Sequence, residues 1–116
     1  MIFNLTQHAP TAEQLEAGVT PASKDVSALL TFVGLPTKVD IEERAQALAT
    51  LAEASGFTAT MVGGAPYLMA PLCNALEQRG ITPLFSFTER QSVETVQADG
   101  SVVKTAVFRH VGFVQG

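Results

Sequence analysis

Cysteine and basic side chains are what this 116-residue sequence has least of, and each scarcity excludes something. The single cysteine, Cys73, leaves no disulfide framework, and among apolar neighbours in an expected helix it reads as a core thiol, not a nucleophile or metal ligand. Seven Lys and Arg against eleven Asp and Glu give a net charge of −4, with no basic face to displace counterions from duplex DNA or RNA. A small anionic ligand held by one or two arginines remains compatible with that balance. The two histidines, His8 and His110, lack cysteine or carboxylate partners at ligand spacing, so no metal and no cofactor are expected. No stretch approaches membrane-spanning length, and the N-terminus has no basic segment followed by a long apolar run. The reading is therefore no signal peptide, no membrane partner and a cytoplasmic protein. Repeats, low-complexity segments and linkers are also missing, which reads as one domain over 1–116.

What is present is a compact α/β profile, 47% hydrophobic and 16% charged. Residues 58–90 read as a complete strand–helix–strand unit. The apolar, β-branched run 58–62 is stopped by Gly63 and Gly64, as expected of a strand buried on both faces. Pro66 suits a first helical turn, Leu68, Leu72, Ala75 and Leu76 share one helical face, and Arg79 and Gly80 end the helix. Pro71, several positions in, predicts a kink or a helix whose regular part begins near Met69. A second strand at 83–87 must run parallel to the first after so short a crossover.

Around this unit, 2–5 reads as a first strand. Thr11 and Gln14 have the spacing of a capping box that starts a short helix, which Gly18 ends. Residues 20–34 read as another short helix through Ala28, followed by a loop or, as an alternative, by a strand over 29–33. The longest helix follows Thr37, with Ile41, Ala45, Leu48, Ala49 and Ala52 as its apolar stripe and Asp40 and Glu43 at capping spacing. Beyond Arg90 the pattern turns antiparallel. Asp99 and Gly100 predict a type I′ hairpin in which Thr95 faces Lys104 and Glu94 faces Thr105, and Gly112 predicts a bulge or bend. The expected fold is a parallel sheet with helices packed on it and a C-terminal antiparallel β-hairpin.

In such a sheet the strand tips lie along one edge, where ligands bind. They supply Asn4, Thr6, Gln7 and His8, then the backbone N–H groups of Gly63, Gly64 and Ala65, then Ser86, Thr88, Arg90 and Gln91. Hydroxyls, imidazole, guanidinium and amides without clustered carboxylates suit a phosphodiester better than a metal-dependent reaction. His8 has the chemistry of an acid or base for a ribose hydroxyl, and Arg90 or Arg109 that of a phosphate clamp. Tyr67 could stack on a base. Each has a plainer role: a turn cap, solvated charges, a packed aromatic, a tight glycine turn. Ser86 and Thr88 sit in no nucleophile elbow, which speaks against serine hydrolase chemistry.

Asn4, Leu5, Thr6, Gln7 and His8, followed by Thr11, Ala12, Glu13 and Gln14, resemble the start of small CRISPR-associated Rossmann-like proteins related to the CARF domains that bind cyclic oligoadenylates. The order of the later elements, Gly63-Gly64 and the polar run 86–90 are similar as well. The resemblance implies a Rossmann-like fold and a homodimer whose sheet edges join in one site for the cyclic oligonucleotide. It also implies ring nuclease activity through metal-independent attack of a ribose 2′-hydroxyl, modulating type III CRISPR antiviral signalling, with His8 and Arg90 carrying the chemistry. A non-catalytic sponge and a protein-interaction module built on the hairpin remain alternatives.

Overall fold

The computed structural model describes the backbone of residues 1–116 and all side chains except those of Gln91, Val93, Val107 and Phe108, so the expected part for Gln91 lies outside the described residues. The chain runs β1 (Phe3–Leu5), α1 (Ala12–Glu16), α2 (Lys24–Leu30), α3 (Lys38–Ala54), β2 (Ala59–Val62), α4 (Pro66–Gln78), β3 (Thr82–Val96) and β4 (Val102–Gln115). These strands form one sheet in the order β1-β2-β3-β4, parallel across the first two pairings and antiparallel in the last. The fold is α/β, with a mixed sheet and a C-terminal antiparallel strand pair, as the sequence predicts. Among the described residues no helix is long and apolar enough to cross a membrane.

Register decides which side chains meet. Phe3 pairs with Thr60 and Leu5 with Val62, while Thr60 pairs with Pro83. By alternation, Phe3, Leu5, Thr60, Val62, Pro83 and Phe85 share one face. That face meets Ala45, Leu48, Ala49 and Ala52 of α3 and Leu68, Leu72, Ala75 and Leu76 of α4, all buried in one core. The alanines of α3 let the two helices lie close together on the sheet. Asn4, Met61 and Leu84 are mutually paired on the opposite face, with Ser86 two residues further along β3. Arg44 reaches from α3 to the end of α2, donating to the carbonyls of Leu29 at 2.8 Å and Thr31 at 2.7 Å, with its guanidinium 4.9 Å from the Phe32 ring centre. It thereby satisfies carbonyls that the helix end leaves without partners.

Four expectations change. The third strand does not stop at 87. It continues to Val96 as one arm of the hairpin, so the polar run from Ser86 to Arg90 lies along a strand, not at its tip. The hairpin register moves by one, pairing Thr95 with Val103 and Glu94 with Lys104. Its turn is not type I′, because Gly100 alone in it has positive φ, at +85°. Gly100 N–H bonds to the Gln97 carbonyl and Gln97 N–H to that of Ser101, giving a three-residue loop with glycine in the left-handed position. The α3 cap is Thr37, with Asp40 completing the box where the sequence suggested Asp40 and Glu43. Helix α4 begins at Pro66 and continues through Pro71.

The expected irregularity at Gly112 is present. Phe87 pairs with Gly112 but Thr88 pairs with His110, which leaves Val111 as the extra residue of a β-bulge. Beyond it the two arms project as a ribbon. The molecule measures 58 × 33 × 23 Å with a radius of gyration of 17.2 Å. A compact chain of this length would have about 13 Å.

Two outcomes test this account. The Thr60 hydroxyl is buried and has no hydrogen-bond partner among the described residues. Thr60→Val should therefore raise unfolding stability by roughly 1 kcal/mol in urea titrations, and a loss would show that the hydroxyl is satisfied in solution. At the α3 cap, the Thr37 backbone N–H and then its hydroxyl hold the Asp40 carboxyl below its ordinary value of 3.8. That contribution is present above the ordinary value and disappears as pH falls through the lower folded one. The stability difference between the protein and Asp40→Asn should accordingly be largest near neutrality and shrink in strong acid.

Candidate functional site

At the carboxyl edge of the parallel strands, Thr6, His8, Gln14, Met61, Val62, Gly63, Phe85 and Ser86 line a cavity of about 210 Å³. The tip of β1 is built by Asn4, which is 1% exposed. Its Oδ1 accepts from the Thr6 N–H at 3.0 Å and the Thr6 hydroxyl at 2.6 Å. Its Nδ2 donates to the His8 carbonyl at 3.1 Å, while the His8 N–H reaches the Thr6 oxygen at 3.2 Å. An Asx-type turn therefore fixes the His8 backbone. The His8 imidazole is exposed at the cavity and makes no hydrogen bond among the described residues.

The two glycines serve different ends. A Cβ at Gly63 would stand 3.3 Å from Thr6 Cγ2, so a side chain there would push the tips of β1 and β2 apart. Gly64 has φ of +146°, a conformation that side-chain-bearing residues rarely adopt. Ala65 then caps α4 without a side-chain bond.

Across the cavity stands a polar cluster that links α1, β3 and β4. Within α1, Gln14 completes the capping box as expected, its Oε1 accepting from the Thr11 N–H at 3.0 Å. That bond turns the amide so that Nε2 donates to Ser86 Oγ at 3.1 Å. Ser86 Oγ lies 2.6 Å from Nδ1 of His110, whose ring is stacked obliquely on Phe113 at 4.7 Å. His110 is 7% exposed. Without the bulge at Val111, His110 would fall opposite Glu89 and face the other way.

Of the residues expected at the site, Thr6, His8, Gly63 and Ser86 come together, and Asn4 supports them from below. Gln7 does not join them: its amide donates to the Ser27 carbonyl and the Thr31 hydroxyl of the α2 end. Tyr67 lies between α3 and α4 with Lys38, Ile41 and Pro71, edge-on to Phe32 at 5.5 Å. Thr88 is exposed on the ribbon opposite His110. Arg90 is four residues beyond Ser86, about 13 Å along the strand, and is not part of the cavity wall. Arg109 pairs with Glu13 of α1 at 3.7 Å, an exposed contact of small energetic weight. The cavity wall thus carries no lysine or arginine. Cys73 is partly buried, and burial first, then Glu77, pushes its thiol above the ordinary value.

Sequence reasoning missed His110 as a site residue and saw Gln14 only as a cap. A glycine signal marked the bulge, but which residue the bulge would turn inward depends on the register. Among the described residues no group of three His, Cys, Asp or Glu side chains is placed to hold a metal ion.

The model of the Uncharacterized protein MJ1673 family matches residues 1–114. No curated protein and no solved structure matches the chain.

The tip geometry has a measurable consequence. Asn4→Ala removes the acceptor of the Thr6 N–H and leaves the Thr6 hydroxyl only its 3.3 Å contact to the His8 carbonyl, and should cost about 1–3 kcal/mol by chemical denaturation. Gln7→Ala, which removes only exposed bonds, should stay within about 0.5 kcal/mol.

Proposed function

The chain belongs to the MJ1673 family, and from its own residues we propose that it binds a cyclic oligoadenylate and opens the ring by metal-independent attack of a ribose 2′-hydroxyl on the neighbouring phosphate. One observation carries the reading: the cavity at the sheet's carboxyl edge, where a free imidazole on a fixed backbone faces hydroxyls and a glycine turn. Imidazole is the side chain most often used for acid–base work near neutrality. Open α/β sheets bind ligands at this edge. The sequence resemblance to CARF-related proteins supports the same reading, in which the activity would modulate type III CRISPR signalling in the cytoplasm.

The cavity is smaller than the roughly 300–1,000 Å³ of typical small-molecule sites, so each chain can take only a fragment of the ring. The cation that phosphates require stands instead on the ribbon, at Arg90. Both points make the reading one of a homodimer with two cavities sharing one ring. The ribbon supports it. Segment 18–20 covers the β1 edge through the Ile2–Val19 bridge, whereas β4 presents its outer edge with Val102, Val103, Val111 and Val114 exposed. An open edge of this length is a surface for strand pairing. The same edge favours a second reading, in which the ribbon docks another protein and the cavity plays no part.

A panel of cyclic oligonucleotides separates these readings. The expected result is one ring bound per two chains, opened to linear products ending in 2′,3′-cyclic phosphate. His8→Ala should slow opening by about 10²–10⁴-fold while changing affinity far less. Arg90→Ala should weaken binding by roughly 1.5–3 kcal/mol in calorimetry. Binding without product would make the protein a sponge. Absence of binding to every ring would leave the docking reading.

A further inference from the structure

We propose that Ser86 and His110 form a proton-accepting pair facing the cavity, in which Ser86 meets a ligand hydroxyl and His110, acting through it, takes up the charge. Only the identity of that hydroxyl rests on the function proposed above.

Hydrogen-bond capacity at Ser86 sets the roles of the two side chains. A serine hydroxyl accepts two hydrogen bonds and donates one. The capping box consumes Gln14 Oε1, so Nε2 is the end that meets Ser86 and one acceptor position is filled. In the proposed pair, the His110 tautomer with hydrogen on Nε2 lets the Ser86 hydroxyl donate to Nδ1 across the 2.6 Å contact. One acceptor position remains, and Ser86 lines the cavity together with Gln14, whereas His110 stands behind it. A hydroxyl donating there completes the serine's valence.

From that arrangement a proton moves without displacing a heavy atom. As the ligand's 2′-oxygen bonds to phosphorus, its proton passes to Ser86 Oγ and the serine's own proton passes to Nδ1. The P–O5′ bond breaks, and the leaving oxygen takes a proton from His8 in its imidazolium form. The products are a 2′,3′-cyclic phosphate, a 5′-hydroxyl, neutral His8 and protonated His110, which exchange with solvent resets. His110 then donates back to Ser86 Oγ, so both ends of the step are fully hydrogen-bonded. The near-complete burial of His110 against Phe113 holds the ring at this distance and keeps competing water away.

Two arms test the pair and keep it distinct from the ring-opening reading. In the first, the unmodified protein is treated with diisopropyl fluorophosphate, which needs no nucleotide. The expected result is a single adduct at Ser86, located by peptide mass spectrometry, with labelling slowed about 100-fold in folded His110→Gln. A folded protein that leaves Ser86 unlabelled overturns the proposal. In the second arm, Ser86→Ala and His110→Gln should each lower kcat about 100-fold with KM within threefold. The double variant should be no slower than the slower single one, because the two act as a unit. Ser86→Thr, which restores the hydroxyl, should recover part of the rate. Full turnover by Ser86→Ala overturns the pair whatever the labelling shows. A Ser86 adduct with no ring opened by the unmodified protein upholds the pair and removes the nuclease reading.

Discussion

The candidate site depends on one extra residue in β4. Side chains alternate along a strand, so the single-residue slip at Val111 reverses the facing of everything on one side of it relative to the other. His110 is thereby aimed at Ser86, while Phe113 remains on that same face to pack against the imidazole. Removing the slip would send the imidazole to the opposite side, and Ser86 would keep only Gln14. A bulge costs ladder hydrogen bonds, and its place beside the Gln14–Ser86–His110 cluster matches the frequent use of bulges to re-aim a side chain.

Rigidity on the other side of the cavity has a different origin. Asn4 lies inside the sheet and gives three of its polar contacts to Thr6 and His8, so the tip is folded back by local bonds instead of being left as a free loop. Gly63 then lets the second strand tip approach it closely. The backbone on both sides is held, and the imidazole of His8 is the part left able to turn. Such preorganisation is what acid–base chemistry requires, since the cost of ordering the groups has been met in folding.

Much of this was legible in the residues. Gly63-Gly64 before Pro66, the apolar stripes of α3 and α4, and Thr11 with Gln14 are local signals, and local signals survive folding. What the residues do not reveal has one cause. A polar run such as 86–90 has the look of a strand end, yet polar residues are equally at home on an exposed two-stranded ribbon, and the longer strand carries Arg90 away from the tips. Asp-Gly supports either a two-residue turn or a three-residue loop with glycine left-handed, and the chain adopts the second, which moves the hairpin register by one. The partner of His110 is 24 residues away, and only a bulged register brings the two together.

The ribbon also divides the molecule by how tightly its amides are protected. From Thr88 to the turn and back to His110 the backbone is held by ladder bonds between two strands, and among the described residues its helix contact beyond the bulge is the exposed Arg109–Glu13 pair with α1. The base is tied differently, by the Ser86–His110 contact, by Gly116 N–H to the Pro83 carbonyl, and by the core beneath. Amide exchange should therefore be graded along β3 and β4, fast near Gly100 through local fraying and slow near Ser86, where exchange waits for cooperative unfolding. The same two strands would then belong to two foldons, with the boundary at the bulge, and a partner that paired with the ribbon would extend the slow region outward without touching the core.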